Sequence, residues 1–441
     1  MIEIFQINLI LLFFSLFLFL PINIYDKSIY LKKNDLFDKT ALNLAINLNI
    51  LLVLSFLPIS VHYIQTYLYI FFLLIFVLVY KNHLNFIFNF FKTFLPLGLI
   101  FIVLSLSISS ELYLGYDAKK FYYIKSLFFY EGKTIFDLSN FSQSIWHPHF
   151  SSYLWGFFWK LGFLDLEYFG RLFYVFLFCY SFFLISNIGK KSLINLIIFF
   201  VLLLLFYDYK YFTGHPEILI FSLLAIISKY LILLSKENTN NTLFILLIFL
   251  LSNIILWLKS EGTVYFFIIL FLLIFQKQIT INKKIFIFIS FLAVFIFKIF
   301  IYKLTGLEEG LKDVYHLEYI MTLDIPSVAD KLFKITIWFV YYSSTNIFLL
   351  IFIFLIIYEK LYEKKISLKQ ANQNFILFQY SFLILFFITF AYIFRDMEII
   401  QAIRTTMDRL LMTASGFYIY PILFKFLSFF DKNFNLRQNQ A

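Results

Sequence analysis

Apolar residues run along this chain in blocks of roughly 17–25, broken by short polar stretches, a length that matches the hydrocarbon thickness of a bilayer. The blocks do not alternate in the short period of a membrane β-barrel. The pattern predicts an all-α, polytopic transmembrane helical bundle. About thirteen spans are expected, near 4–23, 42–60, 64–80, 94–110, 168–186, 192–207, 215–235, 242–258, 262–276, 285–302, 332–357, 374–394 and 409–428. The first block, IEIFQINLILLFFSLFLFL, lacks a basic n-region and a small-residue cleavage site, so it reads as a span. FSSYLWGFFWKLGFL (150–164) is apolar but short. It is expected as a re-entrant or interfacial helix, because a crossing there would reverse the side of every later loop.

Composition narrows the class. The chain of 441 residues is 62% hydrophobic and 14% charged, where soluble domains carry about 25% charge. Its net charge of +10 sits in short lysine clusters between apolar blocks, which fits membrane topology better than a nucleic-acid face. One set of alternate loops carries about 18 Lys and Arg against about 7 acids, the other about 13 against about 19. The basic set is therefore read as cytoplasmic. The N-terminus and the two long loops, about 111–167 and 303–331, face outside a cell membrane. The single cysteine, Cys179, excludes an intramolecular disulfide. No P-loop sequence occurs, so an ATP-driven pump is not expected. The chain reads as one membrane domain over 1–441.

Polar chemistry collects in the loops assigned to the outer face. GYDAKKFYYIKSLFFYEG (115–132) places Asp117 a few residues beyond an apolar block and Lys125 eight residues later, about two helical turns. Trp146-His147-Pro148-His149 follows in the same loop, then Arg171, Tyr211-Phe212-Thr213-Gly214-His215-Pro216-Glu217, Lys259-Ser260-Glu261-Gly262, and Arg395, Arg404 and Arg409. Each has an ordinary reading as well. An arginine at a helix start is commonly a snorkelling anchor. Lys259 and Glu261 can form a structural ion pair, and His147 with His149 can serve a metal or hydrogen-bond a substrate. Together they suit sugar transfer from a polyprenyl-phosphate donor. A carboxylate takes the acceptor's proton, cations meet the charge growing on the leaving phosphate, and aromatic loops hold the sugar.

In order and spacing these segments resemble the multi-spanning GT-C-type glycosyltransferases, near the protein-mannosyltransferase-like and aminoarabinose-transferase-like members. Gly115-Tyr116-Asp117-Ala118 with Lys125 is similar to that family's early loop, and Ile145 to Leu154 to its His-Pro segment. Arg171, Gly214-His215-Pro216-Glu217, Lys259-Ser260-Glu261-Gly262 and Thr405-Thr406-Met407-Asp408-Arg409 follow in the family's order. His149 stands where the family usually has Asp, and Ser151-Ser152 where it has prolines. The resemblance covers roughly 111–415. It implies an inverting transferase working on a lipid-linked sugar, with a glycan or lipid as acceptor. Asp117 would be general base. Lys125, Arg404 and Arg409 would contact phosphate; His147, His149, Arg171 and Glu217 would orient substrate; Lys259 and Glu261 would complete the pocket. Some members use a divalent metal and others do not, so a metal is left open. The 303–331 loop is expected to cover the donor site. Two alternatives stand beside this reading. A multi-span polysaccharide polymerase or ligase would rely on Arg395, Arg404 and Arg409 rather than Asp117. A lipid-linked glycan flippase would need charges within the spans, where this sequence has few, Lys298 and Lys334 lying near span ends.

Overall fold

A computed structural model describes residues 2–20, 36–110, 113–140, 148–161, 165–188, 192–236, 242–307, 325–345, 368–394 and 399–438, with a few positions between 350 and 357. No strand occurs among the described residues. Helix occupies each predicted apolar run in whole or part. Six of these helices are long and apolar enough to cross a membrane: Leu36–Ser55, Phe88–Ser109, Tyr168–Ser186, Glu217–Ser235, Ile281–Thr305 and Phe375–Ile393. The chain packs as two compact units. The first comprises Met1–Leu219, Asn253–Lys259 and Ile296–Glu309; the second comprises Ile220–Ser252, Ser260–Phe295 and Gly310–Ala441.

In the first unit, α1 (Ile2–Phe19), α2 (Leu36–Ser55) and α3 (Val61–Ser109) pack beside α6 (Tyr168–Ser186). Helix α3 is assigned without a break over 49 residues, where the sequence predicts two spans and a loop at 81–92. Its contacts show that it folds back. Phe13 and Phe17 of α1 meet Tyr69 and Phe72, so this arm runs parallel to α1. Leu11, Phe14 and Phe19 meet Gly98, Phe101 and Phe90 on the other arm. A straight helix would separate residues 72 and 101 by about 43 Å along its axis, too far for both to touch neighbours on α1. The chain therefore does not run straight between residues 72 and 101.

Phenylalanine fills this core. The Phe14 ring stacks on Phe176 at 4.3 Å between centroids, and Phe158 stacks on Phe173 at 4.6 Å. The end of α1 is closed by side chains of α2. Asn43 donates to the Leu18 carbonyl at 2.8 Å, and Asn47 donates to Phe17 and Leu20 at 2.7 and 2.8 Å. These carbonyls have no partner within α1, so buried amides supply one. Replacing Asn47 with Leu should cost about 1–3 kcal/mol. The check is the melting temperature of the purified protein; an unchanged value would show that those carbonyls find other donors.

The short apolar stretch forms α5 (Phe150–Lys160), whose residues 150–159 are all buried. It does not lie on the protein's surface: it is wrapped by α4 (Tyr123–Tyr130) and α6 within the first unit. Ser152 Oγ donates to the Tyr122 carbonyl at 3.0 Å, tying α5 to the start of α4.

The second unit holds most of α8 (Glu217–Lys236), α10 (Gly262–Ile274), α12 (Ile325–Thr345), α13 (Leu368–Ile393) and α14 (Ile399–Gln438). The Tyr380 ring lies 3.9 Å from that of Phe417, and its hydroxyl donates to the Ala414 carbonyl at 2.9 Å. Helices α9 (Thr242–Leu258) and α11 (Ile281–Thr305) complete the set, with α7 (Ser192–Phe206) against α6. The loop expected over the donor site lies, for 308–324, outside the described residues.

Candidate active site

Residues 116–130 form one helical segment that begins with a π-helical turn, Ala118–Tyr122, and continues as α4. The π turn takes up one extra residue. The eight positions from Asp117 to Lys125 then act as about seven α-helical steps, within roughly 20° of two full turns. A regular α-helix would leave them about 80° apart. The turn thus brings both side chains to one edge, Asp117 half-buried and Lys125 fully buried.

Asp117 lies against the turn that opens α8. The Gly115 amide donates to the Thr213 carbonyl at 3.0 Å. A side chain on Gly115 would overlap the His215 imidazole, meeting Nε2 first. Gly214, at φ +91°, sits where only glycine is comfortable; a β-carbon there would lie 3.0 Å from Ala118 Cβ and 2.5 Å from the Trp155 ring. Glu217, the first residue of α8, accepts from Lys259 Nζ at 2.9 Å and is nearly buried. A carboxylate suits that helix end. Lys259, for which the sequence suggested Glu261 as a structural partner, has Glu217 within salt-bridge distance.

Arg171, in the first turn of α6, is wholly buried. Its Nε and an Nη donate to both oxygens of Glu167 at 2.9 and 3.1 Å, and the other Nη donates to the Phe212 carbonyl at 3.0 Å. The same nitrogen lies 3.4 Å from the Tyr113 carbonyl. The guanidinium thus ties down both strips of backbone that flank Asp117 and His215. In this structure it braces the site.

A second group lies deeper in the first unit. His149 is buried and shares a hydrogen bond of 2.9 Å between Nε2 and Ser55 Oγ; Nδ1 has no hydrogen-bond partner among the described residues. The rings of Phe56, Phe129 and Trp257 surround it. Burial, then the charges of Lys125 and Lys298, push its pKa down to about 3, so the ring is neutral. Lys298 is buried and donates to the Leu256 carbonyl at 3.2 Å. Sequence reasoning set Lys298 aside as a span-end residue. A lysine inside an apolar helix was the available signal for it.

Burial lowers the Lys125 pKa from 10.5 to about 7. Between these values the unfolded chain holds a proton that the folded chain has released, so stability should rise with pH across that window. Melting temperatures from pH 7 to 10 should climb more steeply for the wild type than for Lys125→Met. Parallel curves would place the lysine in a more polar setting.

Six of the predicted site residues, Asp117, Lys125, His149, Arg171, Glu217 and Lys259, thus belong to the first unit. Glu261, Arg404 and Arg409 belong to the second. There Glu261 precedes α10, and the exposed Arg404 guanidinium lies over the Trp338 ring at 5.2 Å. His147 and Arg395 lie outside the described residues. Among those described, no group of three or more His, Cys, Asp or Glu is placed to hold a metal ion. Comparisons with family models, curated proteins and solved structures return no match to this chain.

Proposed function

We propose that this chain is a membrane glycosyltransferase that moves a sugar from a polyprenyl-phosphate donor to a hydroxyl on a glycan or lipid, with inversion at the anomeric carbon. The observation that supports it most is the packing of the Asp117 segment onto the Gly214-His215 turn, which leads directly to the Glu217–Lys259 pair. Four stretches far apart in sequence supply one acid-and-cation cluster at the ends of apolar helices. The aromatic residues Tyr116, Tyr123 and Trp155 border it.

In the reaction the acceptor oxygen attacks the anomeric carbon and forms the new glycosidic bond. The bond from that carbon to the phosphate oxygen breaks, and polyprenyl phosphate leaves with the electron pair. Asp117 takes the acceptor's proton. Lys125 and Lys259 are the cations assigned to meet the leaving charge. The lysine bias of the loops supports a reaction on the non-cytoplasmic face. The test is transfer of a labelled sugar from polyprenyl-phosphate donors by membranes containing the protein. No transfer above control membranes, across hexosyl and pentosyl donors, would overturn the reading.

A further inference from the structure

His215 is the residue of this cluster to which no role has been given. Its imidazole is half-exposed and rests on Gly115, two residues before Asp117. Gly115 is not in the left-handed region; among the described residues only Gly132, Gly214 and Gly306 have positive φ. Its backbone would therefore accept alanine without strain. What excludes a side chain at 115 is the imidazole itself, because a β-carbon there would lie inside the ring's contact surface. The absence of a side chain at 115 and the presence of a ring at 215 are one arrangement.

The turn that carries the ring is itself fixed by its neighbours. Gly214 is pressed between Trp155 and Ala118, and the Phe212 carbonyl is held by Arg171. Glu217, two residues on, is occupied by Lys259. The charged groups carried by the segments that meet at this turn are Asp117, Lys119 and Lys120 on the 116–130 helix, the Glu217–Lys259 pair, and Arg171 with Glu167. Of these, Asp117 is the one given a proton to carry.

We infer that His215 is a positioning residue for the transfer, holding the Asp117 segment and its carboxylate in the orientation that receives the acceptor's proton. This rests on the transferase reading. It requires the ring to stay where Gly115 leaves room for it.

That requirement supplies the test. Gly115→Ala adds one methyl group that forces the ring aside while keeping both the histidine and Asp117. His215→Asn removes the ring and leaves the space. Transfer by the purified full-length protein should fall about tenfold or more in kcat in each single variant, with the KM for donor little changed. The double variant should be no slower than the slower single, because both changes abolish one interaction. Melting temperatures check that each variant is folded. If Gly115→Ala unfolds, Gly115→Ala/His215→Ala should restore folding, and His215→Asn alone decides the kinetics.

Folded single variants with wild-type kcat would overturn the inference while leaving the transferase reading intact. So would losses that multiply in the double variant. A wild-type protein that transfers no sugar would overturn both.

Discussion

Asp117→Asn should lower the rate of sugar transfer by about 10²–10⁴-fold, the usual contribution of a positioned general base. The substitution keeps the size of the side chain and removes its ability to hold a proton. Asp117 is half-buried at the start of a helix whose packing is carried by Ala118, Tyr122, Ser126 and Phe129, so folding should be unaffected. Expression level and melting temperature should match the wild type while turnover collapses. Donor binding should persist, because the cations assigned to the phosphate are untouched. Retention of more than a tenth of wild-type turnover would remove Asp117 from the role of base.

Arg171→Leu should have the largest effect on stability, about 3–5 kcal/mol, the cost of leaving one partner of a buried ion pair alone. Burial already pushes the Glu167 pKa up, against the pull of Arg171, so without the guanidinium the carboxyl would take a proton or draw in water. The Phe212 carbonyl would lose its donor as well. Arg171→Lys should recover only part of the loss, because an ammonium group cannot hold two carboxylate oxygens and a carbonyl from another segment in one plane. Adding Glu167→Gln to Arg171→Leu should soften the defect by removing the stranded charge. The measurement is the melting temperature in detergent. A wild-type value for Arg171→Leu would show that the pair is solvated and that the brace lies elsewhere.

The helical class was legible in the sequence because bilayer thickness sets a length that composition must satisfy, and the apolar blocks carry it without help from tertiary contacts. The fate of 150–164 was not. An apolar segment of that length has the same pattern whether it lies at an interface or inside a bundle, and only the neighbours that cover α5 distinguish the two.

The candidate site divides similarly. Asp117, Lys125, Glu217 and Lys259 stand out in sequence as charges next to apolar blocks, where each has a cost that invites a reason. Their partners do not follow from that. Lys259 pairs with Glu217, 42 positions away, because the end of α9 and the start of α8 meet within the first unit. The eight-residue gap from Asp117 to Lys125 puts them on one edge only through the π turn, a local insertion that residue spacing does not announce. Gly115 and His215 are unremarkable as letters exactly a hundred positions apart; the overlap of a missing β-carbon with a ring gives them meaning. Membrane class and the identity of the charged residues thus came from the sequence alone, since desolvation acts on each segment by itself. Which charge faces which was decided by packing, since short-range contacts depend on segments that only the folded chain brings together.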